Sequence, residues 1–168
     1  MAEPYNDPIL RKYAELIRAE MPQFLMVYQG EPLRIPKSNV PCLILSKRET
    51  RVGPLTNSED EHGVAITLSV VVDVRNDLST EINDAEIVEG VNTLYDLVEG
   101  RNADYSLKDN CVLDVLRSNS LVDAANNLRT DLNTITRVDY GRTFRDRAPE
   151  EWWIEARIEF VAHFSQVR

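Results

Sequence analysis

Apolar and polar positions alternate most strictly in the stretch Val64–Arg75, VAITLSVVVDVR. Val64, Ile66, Leu68, Val70, Val72 and Val74 share one face, and Ala65, Thr67, Ser69, Val71, Asp73 and Arg75 share the other. Period-two alternation rich in β-branched residues predicts a strand with one face on a core. At roughly 3.3 Å per residue it would run about 40 Å, twice an ordinary strand. A second stretch, Glu151–Phe164, repeats the pattern. Trp152, Ile154, Ala156, Ile158, Phe160, Ala162 and Phe164 lie on one face, and Trp153, Glu155, Arg157, Glu159, Val161 and His163 on the other. Two long strands of one pattern are expected to be neighbours in a single sheet.

The remaining segments fill in around them. Asn6 or Asp7 followed by Pro8 is a helix start, a capping side chain before proline in the first turn. Ile9, Leu10, Tyr13, Leu16, Ile17 and Met21 then recur at helical spacing as far as Pro22. FLMVY, residues 24–28, predicts a short strand, and EPLRIPKSNVP, with three prolines, an extended edge or a loop. CLILS, residues 42–46, resumes as a strand that leads by a hairpin into the central one. The connection, residues 47–63, is predicted as a long polar hairpin loop, either a solvated tip or a functional segment. A capping box at Asn83–Glu86 opens a second helix with Ile87, Val88, Val91, Leu94, Tyr95 and Val98 on its apolar face, closed by Gly100. Ser106–Asp109 predicts a third helix carrying Leu107, Cys111, Val112, Val115 and Leu116. Residues 121–129 read as either a further helical turn or a linking loop, and Leu132–Tyr140 alternates weakly. The fold class is α+β: one domain over residues 1–168, with a mostly antiparallel sheet of four or five strands flanked by two to four helices.

Composition narrows the function. The 168 residues fit one domain with a sizeable core. No apolar run reaches membrane-spanning length and no secretory signal opens the chain, so a cytoplasmic product with no membrane partner is expected. A formal net charge of −9 argues against a dedicated nucleic-acid binder. Cys42 and Cys111, each in an apolar pattern, are expected as buried free thiols.

Catalytic constellations are sparse. His62 and His163 are the only histidines and form no ligand-spaced pair. His62 beside Glu59, Asp60 and Glu61 imitates a metal site, but a charge run in a loop is more often only solvated. There is no glycine-rich phosphate loop and no GxSxG. No cofactor, metal or catalytic residue is assigned. Trp152 and Trp153 must point to opposite faces of a strand. One anchors the core; the other is either covered by the chain or an aromatic contact for another subunit. The segment RTFRDR, with Arg142, Arg145 and Arg147, is either a solvated loop or a salt-bridging contact to an acidic run such as Glu59–Glu61 of another copy.

In layout the chain resembles the tail terminator proteins of long-tailed bacteriophages, of the lambda tail terminator kind. The resemblance rests on the helix LRKYAELIRAEMPQF, the IPKSNVPCLIL lead-in, the polar hairpin, the LSVVVDVR strand, the helix DAEIVEGVNTLYDLV and the closing RDRAPEEWWIEARIEFVAHF strand. It implies a non-enzymatic virion protein at the neck end of the tail, assembled in the host cytoplasm. Such proteins form a hexameric ring that caps the tail tube, ends its polymerisation and joins it to the head. The implied partners are further copies of the chain, the tail tube protein and a neck or head-completion protein, with DNA only passing through the lumen. Candidate subunit or tube contacts are Arg48, Arg51, Glu59, Asp60, Glu61, Arg142, Arg145, Arg147 and Trp153. The competing readings are a head–tail connector or other minor tail protein and, in a different class, a small α+β enzyme or ligand-binding module.

Overall fold

In the computed structural model, residues 7–54, 59–74, 84–119, 122–123, 128–141 and 153–167 are described. Asp7 caps helix α1 (Pro8–Glu20): the Ile9 and Leu10 backbone N–H groups donate to its Oδ1 at 2.9 and 3.2 Å. The start read from Asp7-Pro8 is the one observed. Strand β1 (Met26–Gln29) follows, then a single 3-10 turn at Lys37–Asn39 and a cis Val40–Pro41 peptide. Strands β2 (Cys42–Pro54) and β3 (Glu59–Asp73) come next, then helices α2 (Asp84–Glu99) and α3 (Val112–Ser118). Strand β4 has two residues (Val122–Asp123), and β5 (Leu128–Asp139) and β6 (Trp153–Val167) complete the sheet.

The architecture is α+β with one sheet in the order β1-β2-β3-β6-β5-β4, antiparallel except where β1 runs parallel to β2. The two patterned stretches pair directly, from Glu59 opposite Val167 to Asp73 opposite Trp153. Their predicted apolar faces meet the helices. Val64, Ile66, Leu68, Val70 and Val72 join Ile154, Ile158 and Phe160 in one core with Ile9, Tyr13 and Ile17 of α1 and Leu94 and Val98 of α2. Burying each such side chain stabilises the fold by roughly 1.5–3 kcal/mol, so this face fixes the register.

Three expectations change. Residues 47–63 are not a long loop: β2 extends to Pro54 and β3 begins at Glu59, with Val52 opposite His62 and Pro54 opposite Asp60. Beyond Ser46 the β2 side chains are mostly exposed, so this ribbon carries no one-sided apolar pattern to announce it. The third helix starts at Val112 rather than near Ser106. Residues 101–107 instead close on themselves through an Arg101–Leu107 bridge, with Tyr105 and Asn110 at positive φ. Ser106 supplies a turn: its N–H and hydroxyl both donate to Asp104 Oδ1. Trp153 is 1% exposed and is not a surface contact. It belongs to a second cluster, with Ile35, Val40, Cys42, Ile44 and Val71, where the proline-rich connection folds over the sheet face opposite the helices. The Asn39 side chain donates to Tyr28 Oη at 2.8 Å and pins that connection down.

Candidate functional site

The helix-free face of the sheet is where the polar candidates gather. Register sets its rows. Ser69 lies opposite Arg157, Thr67 opposite Glu159, Ala65 opposite Val161 and Gly63 opposite His163 on the β6 side. On the β2 side Ala65 lies opposite Glu49, Gly63 opposite Arg51 and Glu61 opposite Gly53. From Gly63 to Ser69 the central strand contributes small residues, flanked mostly by charged ones on its two neighbours.

Arg48 occupies a β-bulge between Lys47 and Glu49, and its Nε donates to Thr67 Oγ1 at 3.0 Å. The bulge reverses the alternation beyond it, so Glu49 and Arg51, which strict alternation would send to the helical face, join Arg48 on the helix-free one. Arg51 is exposed and pairs with Glu49 at 2.7 Å. Exposed Glu61 lies 3.9 Å from His163 Nδ1. Asp60 is half-buried opposite Pro54, and Glu59 opens β3. His62 points to the other face and stacks on Phe164, ring centroids 4.9 Å apart. The basic arm and the acidic arm of residues 47–63 are therefore adjacent strands of one ribbon. Arg142, Arg145, Arg147 and Trp152 lie outside the described residues.

A shallow trough of about 560 Å³ opens where the ribbon leaves the core. Gly63, Ala65 and Val161 line it, with Glu49, Arg51, Glu61, Thr136 and His163 around them. A Cβ on Gly63 would meet Val161 Cγ1 at 3.6 Å, ordinary contact, so the floor there has room for a small side chain. Glu49, Thr136, Val161 and His163 were not singled out as contact candidates. Only the strand register, including a bulge between Ile135 and Arg137, brings them together.

Further along the same face Glu155 is 5% exposed, with Arg157 Nη2 at 3.6 Å from its carboxylate. Among the described residues no group of three or more His, Cys, Asp or Glu side chains is placed to hold a metal ion. Cys42 and Cys111 are buried free thiols. No helix among the described residues is long and apolar enough to cross a membrane.

At the opposite end of the helical layer, Tyr140 Oη donates to Glu99 Oε1 at 2.7 Å, and its ring meets that of Tyr95 edge-on at 4.7 Å. Burial, then the hydrogen bond to Glu99 and the Glu99 charge, push the Tyr140 hydroxyl well above the ordinary tyrosine range. Arg101 Nη2 holds the other Glu99 oxygen at 3.0 Å. The trough and the charged sheet face thus bring ionic side chains together as the Arg51–Glu49 and Arg157–Glu155 pairs, with His163 near Glu61. The chain matches no protein-family model and no curated protein.

Proposed function

We propose that the protein is a structural component of a phage virion, a tail terminator that assembles as a ring, six copies in the resembling family, on the end of the tail tube. There it stops polymerisation and presents the surface to which the head is joined. One observation carries the reading: strands of 13, 15 and 15 residues form a continuous three-stranded ribbon whose far end leaves the helix-covered core. A core of this size does not need those polar ends for its own stability. As contact surfaces between copies, or toward a tube, they acquire a use. The order of elements, α1, a short strand, the long hairpin, α2 and the closing strand, agrees with the layout on which the resemblance rests.

A ring follows from a single heterologous contact repeated until it closes. With −9 on each copy, a lumen lined by a share of that charge lets DNA pass without holding it. The test is polymerisation of tail tube protein in the presence of the purified chain. Tubes whose mean length falls as the protein is added, each bearing it at one end, support the proposal. Tubes that grow to the same length with the protein unbound sink it. In that event the 560 Å³ trough favours the ligand-binding module instead.

A further inference from the structure

The trough on the helix-free face owes its depth to side chains that the central strand lacks. Gly63 and Ala65 lie between Arg51 and Glu49 on β2 and His163 and Val161 on β6. Neighbouring strands are about 4.8 Å apart, so the two flanking rows stand roughly 10 Å from each other. Between them the small residues leave a channel. Toward the ribbon's far end Gly53 lies opposite Glu61, and a Cβ added to Gly53 would meet nothing within 4 Å, so the channel stays open there. Its volume of about 560 Å³ is that of a small-ligand site rather than of a packing defect.

The charges around the channel do not cancel. Arg51 Nε is bonded to Glu49 Oε1 at 2.7 Å, which closes that pair. Glu61 is held less well: its ion-pair partner among the described residues is His163, whose Nδ1 stands 3.9 Å away, beyond hydrogen-bond distance. With the imidazole neutral, Glu49, Arg51 and Glu61 leave one net negative charge, and Glu61 carries it at the edge of a floor made by Gly63, Ala65 and Val161. An anion would be repelled by this carboxylate. A neutral apolar ligand would cover it without pairing it, at the cost of its desolvation. A cation on an aliphatic stem satisfies both the floor and the edge.

We infer that the trough receives an arginine side chain presented by a protein partner, with its stem over Gly63, Ala65 and Val161 and its guanidinium on Glu61 beside His163. Arginine fits better than lysine because its planar fork donates two parallel bonds to one carboxylate and stacks on a ring face. The site is complete within a single chain. It therefore goes beyond the ring reading and stands or falls separately from it.

The probe is N-acetyl-arginine amide, titrated at neutral pH into the full chain without tubes and followed by backbone amide chemical shifts. The amides of Gly63, Ala65, Val161 and His163 should move together and saturate in the millimolar range, ordinary for a ligand of this size. The citrulline analogue, similar in shape but uncharged, should bind at least about tenfold more weakly. Glu61→Gln, at an exposed side chain, should lose as much affinity for the arginine probe while its thermal unfolding stays that of the wild type. Gly63→Leu keeps the carboxylate but fills the floor, and should abolish the shifts. Glu15→Gln, an exposed carboxylate on α1, should bind as the wild type does. Shifts at the trough that never saturate, equal affinity for the citrulline analogue, or full affinity in Glu61→Gln would each overturn the site and leave the tube-capping reading standing. Saturable arginine binding by a protein that leaves tubes uncapped would sink the capping reading alone.

Discussion

The hydroxyl of Tyr13 on α1 donates to the side-chain oxygen of Asn133 on β5 across the helix–sheet interface. Asn133 Nδ2 donates in turn to the Leu116 carbonyl of α3, so one asparagine ties two helices to the sheet. Tyr13 is fully buried, packs edge-on against Phe160, and lies at the meeting point of the core.

Tyr13→Phe should therefore cost more than a lost surface hydrogen bond, because it strands a half-buried Asn133 oxygen. A loss of about 1–3 kcal/mol is expected, read as a fall in the thermal midpoint of about 2–4 °C per kcal/mol. An unchanged midpoint would show that the bond contributes nothing.

Alkaline stability should depend on the same residue. Burial pushes the Tyr13 hydroxyl above the ordinary tyrosine range, opposed only in part by its bond to Asn133. Above about pH 10 the unfolded chain loses this proton while the folded chain keeps it, so stability falls as pH rises through that region. Tyr140 acts in the same direction. The double variant Tyr13→Phe with Tyr140→Phe should flatten the loss between about pH 10 and 11.5 in denaturant titrations, and an equal slope would refute this.

Asp7 is the acid-side counterpart. Burial raises its carboxyl pKa, but the bond from Lys47 at 2.9 Å, the two capping N–H groups and the Lys47 charge together hold it below the ordinary value. Its contribution is present above about pH 4 and is lost as pH falls through the folded-state value. Asp7→Ala should cost about 1 kcal/mol at neutral pH through the lost cap. Asp7→Asn keeps a cap and should remove only the acid dependence, measured by urea unfolding between about pH 2 and 7.

Trp153 separates folding from assembly. In the cluster beneath the proline-rich connection, Trp153→Ala should cost about 3–5 kcal/mol whether or not copies associate. Trp153→Phe should cost far less, because the buried indole N–H has no hydrogen-bond partner among the described residues. A stable Trp153→Ala protein that no longer caps tubes would return Trp153 to the interface.

How much of this was legible follows from which faces are buried. Val64–Val72 and Ile154–Phe164 announced themselves because one side of each is fully covered, so apolar residues recur every second position. The Asp7-Pro8 cap and the stop at Gly100 were equally plain; at Gly100 a Cβ would lie 2.9 Å from the Asp96 carbonyl oxygen. The ribbon arm 47–54 was hidden because its side chains are largely wet on both sides, and Gly53-Pro54 reads as a breaker. Trp153 misled because the strand pattern says only that it leaves the main core, not that residues 35–40 return to cover it. The trough could not be read at all, since Glu49, Thr136 and His163 meet only through pairing between three distant segments. The short run after Gly100 looked like a helix because Ser106 and Asp109 are good caps, but the left-handed backbone at Tyr105 and Asn110 breaks it.

Shortening the ribbon tests its role without touching the core. Replacing residues 52–62 with a tight Gly-Asn turn leaves Arg51 opposite Gly63, Thr50 opposite Val64 and every buried core residue in place. The domain should stay folded, with a midpoint within about 5 °C of the wild type, equivalent to about 1–2 kcal/mol. Tails made with it should vary in length or fail to join heads; uniform tails that join normally would make the ribbon a solvated extension only.

The ring on the tube is best tested by imaging the ends of tail tubes assembled with the purified protein and averaging them with symmetry left free. The account predicts one closed ring of this chain at a single end of each tube, six copies per ring, with ribbons directed at neighbouring copies or the tube. One or two copies per end, or density spread along the tube wall, would contradict it.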